Sequence, residues 1–203
     1  NIILENLTFI KCKASYGGAV YIYSSYANSF VFVKNCTFKL NEALKKKPTN
    51  NDYLYGGSSI FFSVRNLNIT ESSFERGRGP GGSVKIYNVF DESLDSSLRK
   101  LDEITNSLSI SGCSFEDEKG STNSIYYYSE RRGNSFEIND CSFKGKLNKG
   151  IHYIDGVVTF TNEPKIFISS CTFDEKLAAF GIRMMDKKLS NEMLRLRDLH
   201  QMR

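Results

Sequence analysis

Histidine occurs only twice in this chain, at His152 and His200, and tryptophan does not occur at all. A zinc site needs converging imidazole or thiolate ligands, so this supply points away from one, and no metal or other cofactor is expected. No apolar run approaches the ~20 residues of a membrane-spanning helix, so no span is expected. Lysine and arginine outnumber acids by only 27 to 23, and the one basic cluster is Lys45-Lys46-Lys47. Nucleic-acid binding calls for a basic stripe with interleaved aromatics. A single triplet in a loop reads as a solvated loop instead. What the chain does have is 15 Phe and 11 Tyr within a 40% hydrophobic composition, which is that of a folded globular protein.

Many of those aromatics belong to a repeat. The phrase apolar, any, apolar, any, any, Cys-like, Ser/Thr, Phe occurs six times, at 2–9, 31–38, 67–74, 108–115, 136–143 and 166–173. Its closing residue is always phenylalanine: Phe9, Phe38, Phe74, Phe115, Phe143 and Phe173. The first two apolar positions are two apart, as are the Cys-like slot and the phenylalanine, so each pair shares one face of a strand. Between the pairs the step is three. Alternation therefore slips by one residue, and the second pair stays inward only if the chain bends. Lys34-Asn35, Ser111-Gly112, Asn139-Asp140 and Ser169-Ser170 supply turn formers at that bend.

A third short strand follows several phrases. Gly17-Gly18-Ala19-Val20-Tyr21-Ile22 and Gly81-Gly82-Ser83-Val84-Lys85-Ile86 share a paired-glycine bend followed by alternation. Gly56-Gly57 before Ile60 and Phe62 is a variant, while Ile125 with Tyr127 and Ile151 with Tyr153 lack the full glycine pair. The closing phenylalanines are 29, 36, 41, 28 and 30 residues apart. Short strands at such steps, with little helical sequence between them, predict an all-β fold: a right-handed parallel β-helix (solenoid) of about six rungs. The steps exceed those of left-handed hexapeptide solenoids. A β-sandwich is the alternative.

Cys36, Cys113, Cys141 and Cys171 fill the Cys-like slot, with Leu7 and Ser72 in the other two turns, and Cys12 stands apart. Inward cysteine behaves as a small apolar residue. Stacked rungs bring Cα atoms to about 4.8 Å, but parallel side chains leave Cβ atoms wider apart than a disulfide prefers, so a ladder of free thiols is expected.

The organisation predicted is a repeat domain over 1–176 and a C-terminal helical segment over 177–203. In that segment Met185, Leu189, Met193, Leu196 and Leu199 fall at helical spacing, as a cap over the open end or a tail leading elsewhere. Two insertions interrupt the repeats, at about 39–55 and 91–106, the second with Leu94, Leu98 and Leu101 spaced for a short helix. The chain begins inside a repeat, without Met or a leader, and reads as part of something longer.

Solenoid enzymes that act on acidic polysaccharides need carboxylates gathered on one sheet. The outward slot between the leading apolar residues instead reads Ile3, Phe32, Asn68, Ser109, Glu137 and Phe167. Glu5, Glu71 and Asp140 are scattered among the corners, and the odd separation of His152 from Asp155 points them apart on a strand. No catalytic residue is assigned. Tyr21 and Tyr126 are predicted to point outward from the third strand as ligand-binding residues, since aromatic rings stack on sugars or anchor protein partners. Tyr23, Tyr26 and Tyr128 lie close by in sequence. Asn6, Asn35 and Asn68 head Asn-x-Thr acceptor motifs for N-glycans.

Gly17-Gly18-Ala19-Val20 and Phe38-Lys39-Leu40-Asn41 resemble the two short repeats of the polymorphic outer membrane proteins, and Gly81-Gly82-Ser83-Val84 is a near match. Similar repeats occur in large protist surface proteins described as right-handed β-helix or pectate-lyase-like. After the other phenylalanines, Cys12, Gly77, Glu118, Lys146 and Lys176 replace the asparagine. The resemblance implies a surface-displayed module for adhesion or host contact and transfers no enzymatic residue. A non-enzymatic cell-surface or secreted module that contacts a host or cell-surface protein or glycan is therefore expected. The alternatives are a carbohydrate-active lyase or hydrolase with its acids elsewhere, and a purely structural surface repeat.

Overall fold

The computed structural model of the protein describes residues 1–24, 29–44, 56–64, 66–88, 106–116, 124–129, 134–145, 151–155, 166–174 and 182–186. They form three six-stranded sheets and one two-stranded pair, with no helix among them. The first sheet contains Ile2–Glu5, Phe30–Lys34, Asn66–Thr70, Asn106–Ser111, Asn134–Asn139 and Ile166–Ser169. The second contains Thr8–Ile10, Thr37–Lys39, Ser73–Glu75, Ser114–Glu116, Ser142–Lys144 and Thr172–Phe173. The third contains Val20–Tyr23, Ile60–Ser63, Val84–Asn88, Ile125–Ser129, Ile151–Asp155 and Ile182–Asp186. The chain visits the three sheets in the same cyclic order six times, and every strand of these sheets pairs in parallel with its equivalent in each adjoining repeat. The small pair joins Lys13–Ala14 to Glu42–Ala43.

Register places like over like. Val31 pairs with Ile2 and Leu67, Leu108 with Leu67 and Phe136, and Phe136 with Ile166. The phenylalanines form one column from Phe9 to Phe173, with ring centroids 4.8–5.0 Å apart and planes within 3–7° of parallel. At that separation near-parallel rings are offset along their planes, the arrangement their quadrupoles favour. Phe38, Phe74, Phe115 and Phe143 are fully buried, whereas Phe9 and Phe173, at the two ends of the column, are half-buried.

The bends follow from backbone conformation. Asn6, Asn35, Glu71, Gly112, Asp140 and Ser170 occupy one slot of the repeat, and all six are left-handed, with φ from 48° to 61°. One left-handed residue turns the chain enough to absorb the three-residue step and keep both apolar pairs inward. Each corner N–H from Asn6 to Asp140 donates to a carbonyl of the next turn, so the polar backbone stays paired where the strands stop. A second corner, two residues after the phenylalanine, is also left-handed at Lys11, Leu40, Arg76 and Gly145.

Asn41 is fully buried beyond the second of these corners. Its Oδ1 accepts from the Cys12 N–H at 2.9 Å, and its Nδ2 donates to the Phe9 carbonyl at 3.2 Å. The amide thus ties the first two turns together where the backbone alone leaves a donor and an acceptor unmatched.

The C-terminal expectation is corrected in part. Ile182–Asp186 is a strand, with Ile182 paired to Ile151 and Met185 to Ile154, so the third sheet extends past residue 176 into the stretch read as helical. Ile182 and Met184 are also spaced for a strand, and the exposed ladder of Ile151–Asp155 offers ready backbone partners that an isolated helix turn does not have. Leu189, Met193, Leu196 and Leu199, both insertions' helical or basic features (Lys45-Lys46-Lys47, Leu94, Leu98, Leu101) and Tyr26 lie outside the described residues.

Candidate functional site

On the outer side of the third sheet, register aligns Tyr21, Phe61, Lys85 and Tyr126 across four successive strands. Strand alternation sends these side chains away from the core that receives Val20, Ile60, Val84 and Ile125. Tyr21 and Tyr126, both expected to face outward, do share this column. Their accessibility differs: Tyr21 is 51% exposed and Tyr126 half-buried. Between them Phe61 and Lys85 are only 2% and 3% exposed.

The column is held by ring and charge contacts. The Tyr21 ring lies 5.3 Å from Phe61, and Tyr16 packs against both, at 5.3 and 6.2 Å. The Lys85 ammonium sits 5.1 Å from the Tyr126 centroid and 5.7 Å from those of Phe61 and Tyr87. All three distances fall within the reach of a cation–π attraction, which strengthens as water is excluded. Tyr87 in turn stacks on Tyr128 at 4.9 Å.

Glycines make room for the lysine stem. At Gly81, with φ of 77°, an added Cβ would sit 2.7 Å from Lys85 Cδ, and at Gly57 it would sit 3.2 Å from Lys85 Cβ. The paired-glycine bends thus serve the outer face as well as the turn. Tyr23, 58% exposed, widens the accessible aromatic surface on the first strand. His152 and Arg183 continue the same register row in the last two strands.

Phe61, Lys85 and Tyr16 were not singled out from the sequence. One signal existed: Lys85 stands at the same offset from Gly81-Gly82 as Tyr21 from Gly17-Gly18. The attraction between a cation and rings from neighbouring turns is a tertiary fact, invisible in the spacing of any one turn.

The remaining predicted positions fall as follows. Ile3, Phe32, Glu137 and Phe167 are exposed on the outer face of the first sheet, with Asn68 and Ser109 half-buried between them. Among the described acids, Glu42 pairs with Lys13 at 3.1 Å, and Glu75 with Lys39 at 2.8 Å and Arg76 at 3.4 Å. Among the described residues no three His, Cys, Asp or Glu side chains converge as metal ligands, and no helix is long and apolar enough to cross a membrane. Asn6 and Asn35 are exposed at neighbouring corners, and Asn35 Nδ2, the atom a glycan would take, donates to Asn6 Oδ1 at 2.7 Å. Asn68 is half-buried.

All five cysteines are free thiols. In Cys36, Cys113 and Cys141 the sulfur lies 3.2–3.3 Å from the carbonyl two residues earlier. A carbonyl of the preceding turn lies 3.5–3.8 Å from Cys36, Cys113, Cys141 and Cys171. Ser72 does the same with oxygen: its hydroxyl donates to the Thr70 carbonyl at 2.8 Å and accepts from the Cys36 N–H at 3.1 Å. The slot is therefore one for a small side chain with a proton to give at a corner. Hydrogen bonding to Cys113, with burial, pushes the Cys141 thiol up to about 12. Cys171 is raised by its bond to Cys141 and by burial, while Cys113, accepting from Cys141, is the most acidic of the three.

No family model matches the chain, and no match is found among the curated proteins or the solved structures.

Proposed function

We propose that this protein is a right-handed parallel β-helix module of a cell-surface or secreted protein, acting by binding rather than by catalysis, with the outer side of the third sheet as its contact face. Right-handedness rests on the near-universal hand of crossovers between parallel strands of one sheet. The cyclic order of three parallel sheets is compatible with that architecture. Surface display and adhesion follow from the resemblance of Gly17-Gly18-Ala19-Val20 and Phe38-Lys39-Leu40-Asn41 to the polymorphic outer membrane repeats.

The observation that carries the binding reading is the aromatic column. Tyr21 is half out in solvent, yet its ring packs against Tyr16 and the buried Phe61, which in turn lies under the Lys85 ammonium. An exposed ring with a fixed orientation loses little freedom when a ligand covers it, which is what a recognition surface requires. Phe61, Lys85 and Tyr126 lie on strands paired on both sides, and Val20–Tyr23, the end strand that carries Tyr21, is laddered to Ile60–Ser63.

Glycan-array and cell-surface binding of the protein test this directly. Tyr21→Ala and Tyr126→Ala are expected each to weaken binding at least tenfold, about 1.4 kcal/mol. Phe167→Ala, on the outer face of the first sheet, is expected to leave binding unchanged. Equal binding by all three variants, or none by the parent protein, would sink the reading in favour of a purely structural repeat.

A further inference from the structure

Cys113, Cys141 and Cys171 fill one slot in three successive turns, and the strands after them pair in register. The Ser142 N–H donates to the Cys113 carbonyl and the Thr172 N–H to the Cys141 carbonyl, both at 2.9 Å. Each cysteine therefore lies directly over the last. Strand spacing sets their Cα atoms roughly 4.8 Å apart, inside the roughly 4.4–6.8 Å at which disulfides form. Parallel side chains hold the Cβ atoms at a similar spacing, a few tenths of an ångström beyond the usual range of about 3.5–4.5 Å.

That small obstacle differs between the two pairs. Ser114–Glu116 and Ser142–Lys144, the strands after Cys113 and Cys141, have a neighbour on each side. Thr172–Phe173, after Cys171, is the last strand of the second sheet among the described residues and has one neighbour. Interior strands cannot close by even this much without stretching hydrogen bonds to the turn on the far side. Among the described residues Thr172–Phe173 is restrained from the Ser142–Lys144 side alone. Access differs in the same direction: Cys113 and Cys141 are 2% and 1% exposed, whereas Cys171 is half-buried.

We propose that Cys141 and Cys171 are a redox couple that closes to a disulfide, stapling the last turn of the second sheet to the turn before it, while Cys113 stays a thiol. Cys171 attacks first because it is the reachable thiol, not the most acidic one: with glutathione disulfide as oxidant, it gives its proton to the alkaline medium, and its sulfur attacks one glutathione sulfur and expels a glutathione thiolate. The Cys141 thiolate then attacks the Cys171 sulfur of the mixed disulfide and expels the second glutathione. Two protein thiols give up two electrons and two protons, and one glutathione disulfide becomes two glutathiones. The link closes a loop of about thirty residues (171 − 141), which restricts the unfolded chain considerably.

The test is exposure of the reduced 203-residue protein to glutathione disulfide under native, mildly alkaline conditions, followed by non-reducing peptide mapping. One intramolecular link, Cys141 to Cys171, is expected, with a rise in unfolding temperature of roughly 5–10 °C. Cys113→Ser should still form it, and Cys171→Ser should form no intramolecular link. Serine is a safe replacement because Ser72 already occupies this slot. A Cys113–Cys141 link, a glutathione adduct that persists on Cys171, or no Cys141–Cys171 peptide in the parent protein would each overturn the proposal.

Discussion

Asn41 shows how one side chain holds two turns. Its buried amide answers the Cys12 N–H and the Phe9 carbonyl, both on half-buried residues, and lies 3.5 Å from the buried Ser59 Oγ. A buried donor or acceptor left without a partner costs about 1–3 kcal/mol. Asn41→Ala strands two such groups, each partly open to water, and is expected to destabilise by about 1–3 kcal/mol, read from the urea midpoint. A loss under about 0.5 kcal/mol would mean that water replaces the amide. The thiol slot obeys the same logic with weaker donors, which is why serine substitutes for cysteine at residue 72. The sequence showed that the slot wanted something small; that it wanted a proton for a corner carbonyl became visible only with the corner in place.

Between the strands, the repeat's three-residue step becomes a left-handed corner six times over. Glycine, asparagine and aspartate tolerate that conformation, and Glu71 is the least suited of the six occupants. Glu71→Gly is expected to stabilise by up to about 1 kcal/mol, because the strain it relieves exceeds the added freedom of the unfolded chain. Thermal unfolding checks the sign, and a lowered midpoint would show that the Glu71 side chain contributes more than its backbone costs. The paired glycines carry a second constraint: Gly81 turns the chain and leaves the space that the Lys85 stem occupies. A reader of the sequence finds the bend in those glycines but not the lysine they accommodate.

Taken as a whole, the molecule has two different kinds of turn. Interior turns are covered above and below, with Phe74 and Phe115 fully buried, whereas among the described residues Phe9 stacks on Phe38 alone and Phe173 on Phe143 alone. Stability in stacked repeats is a sum of nearest-neighbour terms, so the end turns open first. Amide exchange is expected to be slowest in Asn66–Glu75 and Ser107–Glu116 and fastest in Ile2–Ile10. Uniform protection along the stack would show that it opens as one cooperative unit. The same asymmetry favours Cys171 over Cys113 as the movable partner in a disulfide.

By itself the sequence determined the number of turns, the inward residues and the place of each bend, because two-residue alternation and a repeated corner are properties of local chain geometry. It also marked Tyr21 and Tyr126 as outward, for the same reason. Only the tertiary structure decided that Phe61 and Lys85 are covered and hold those two rings in one column. Only it placed 182–186 in the third sheet rather than in a helix. Both depend on what the neighbouring turn presents, a cation over a ring or an open row of backbone hydrogen-bonding groups, and no single turn of sequence contains its neighbour.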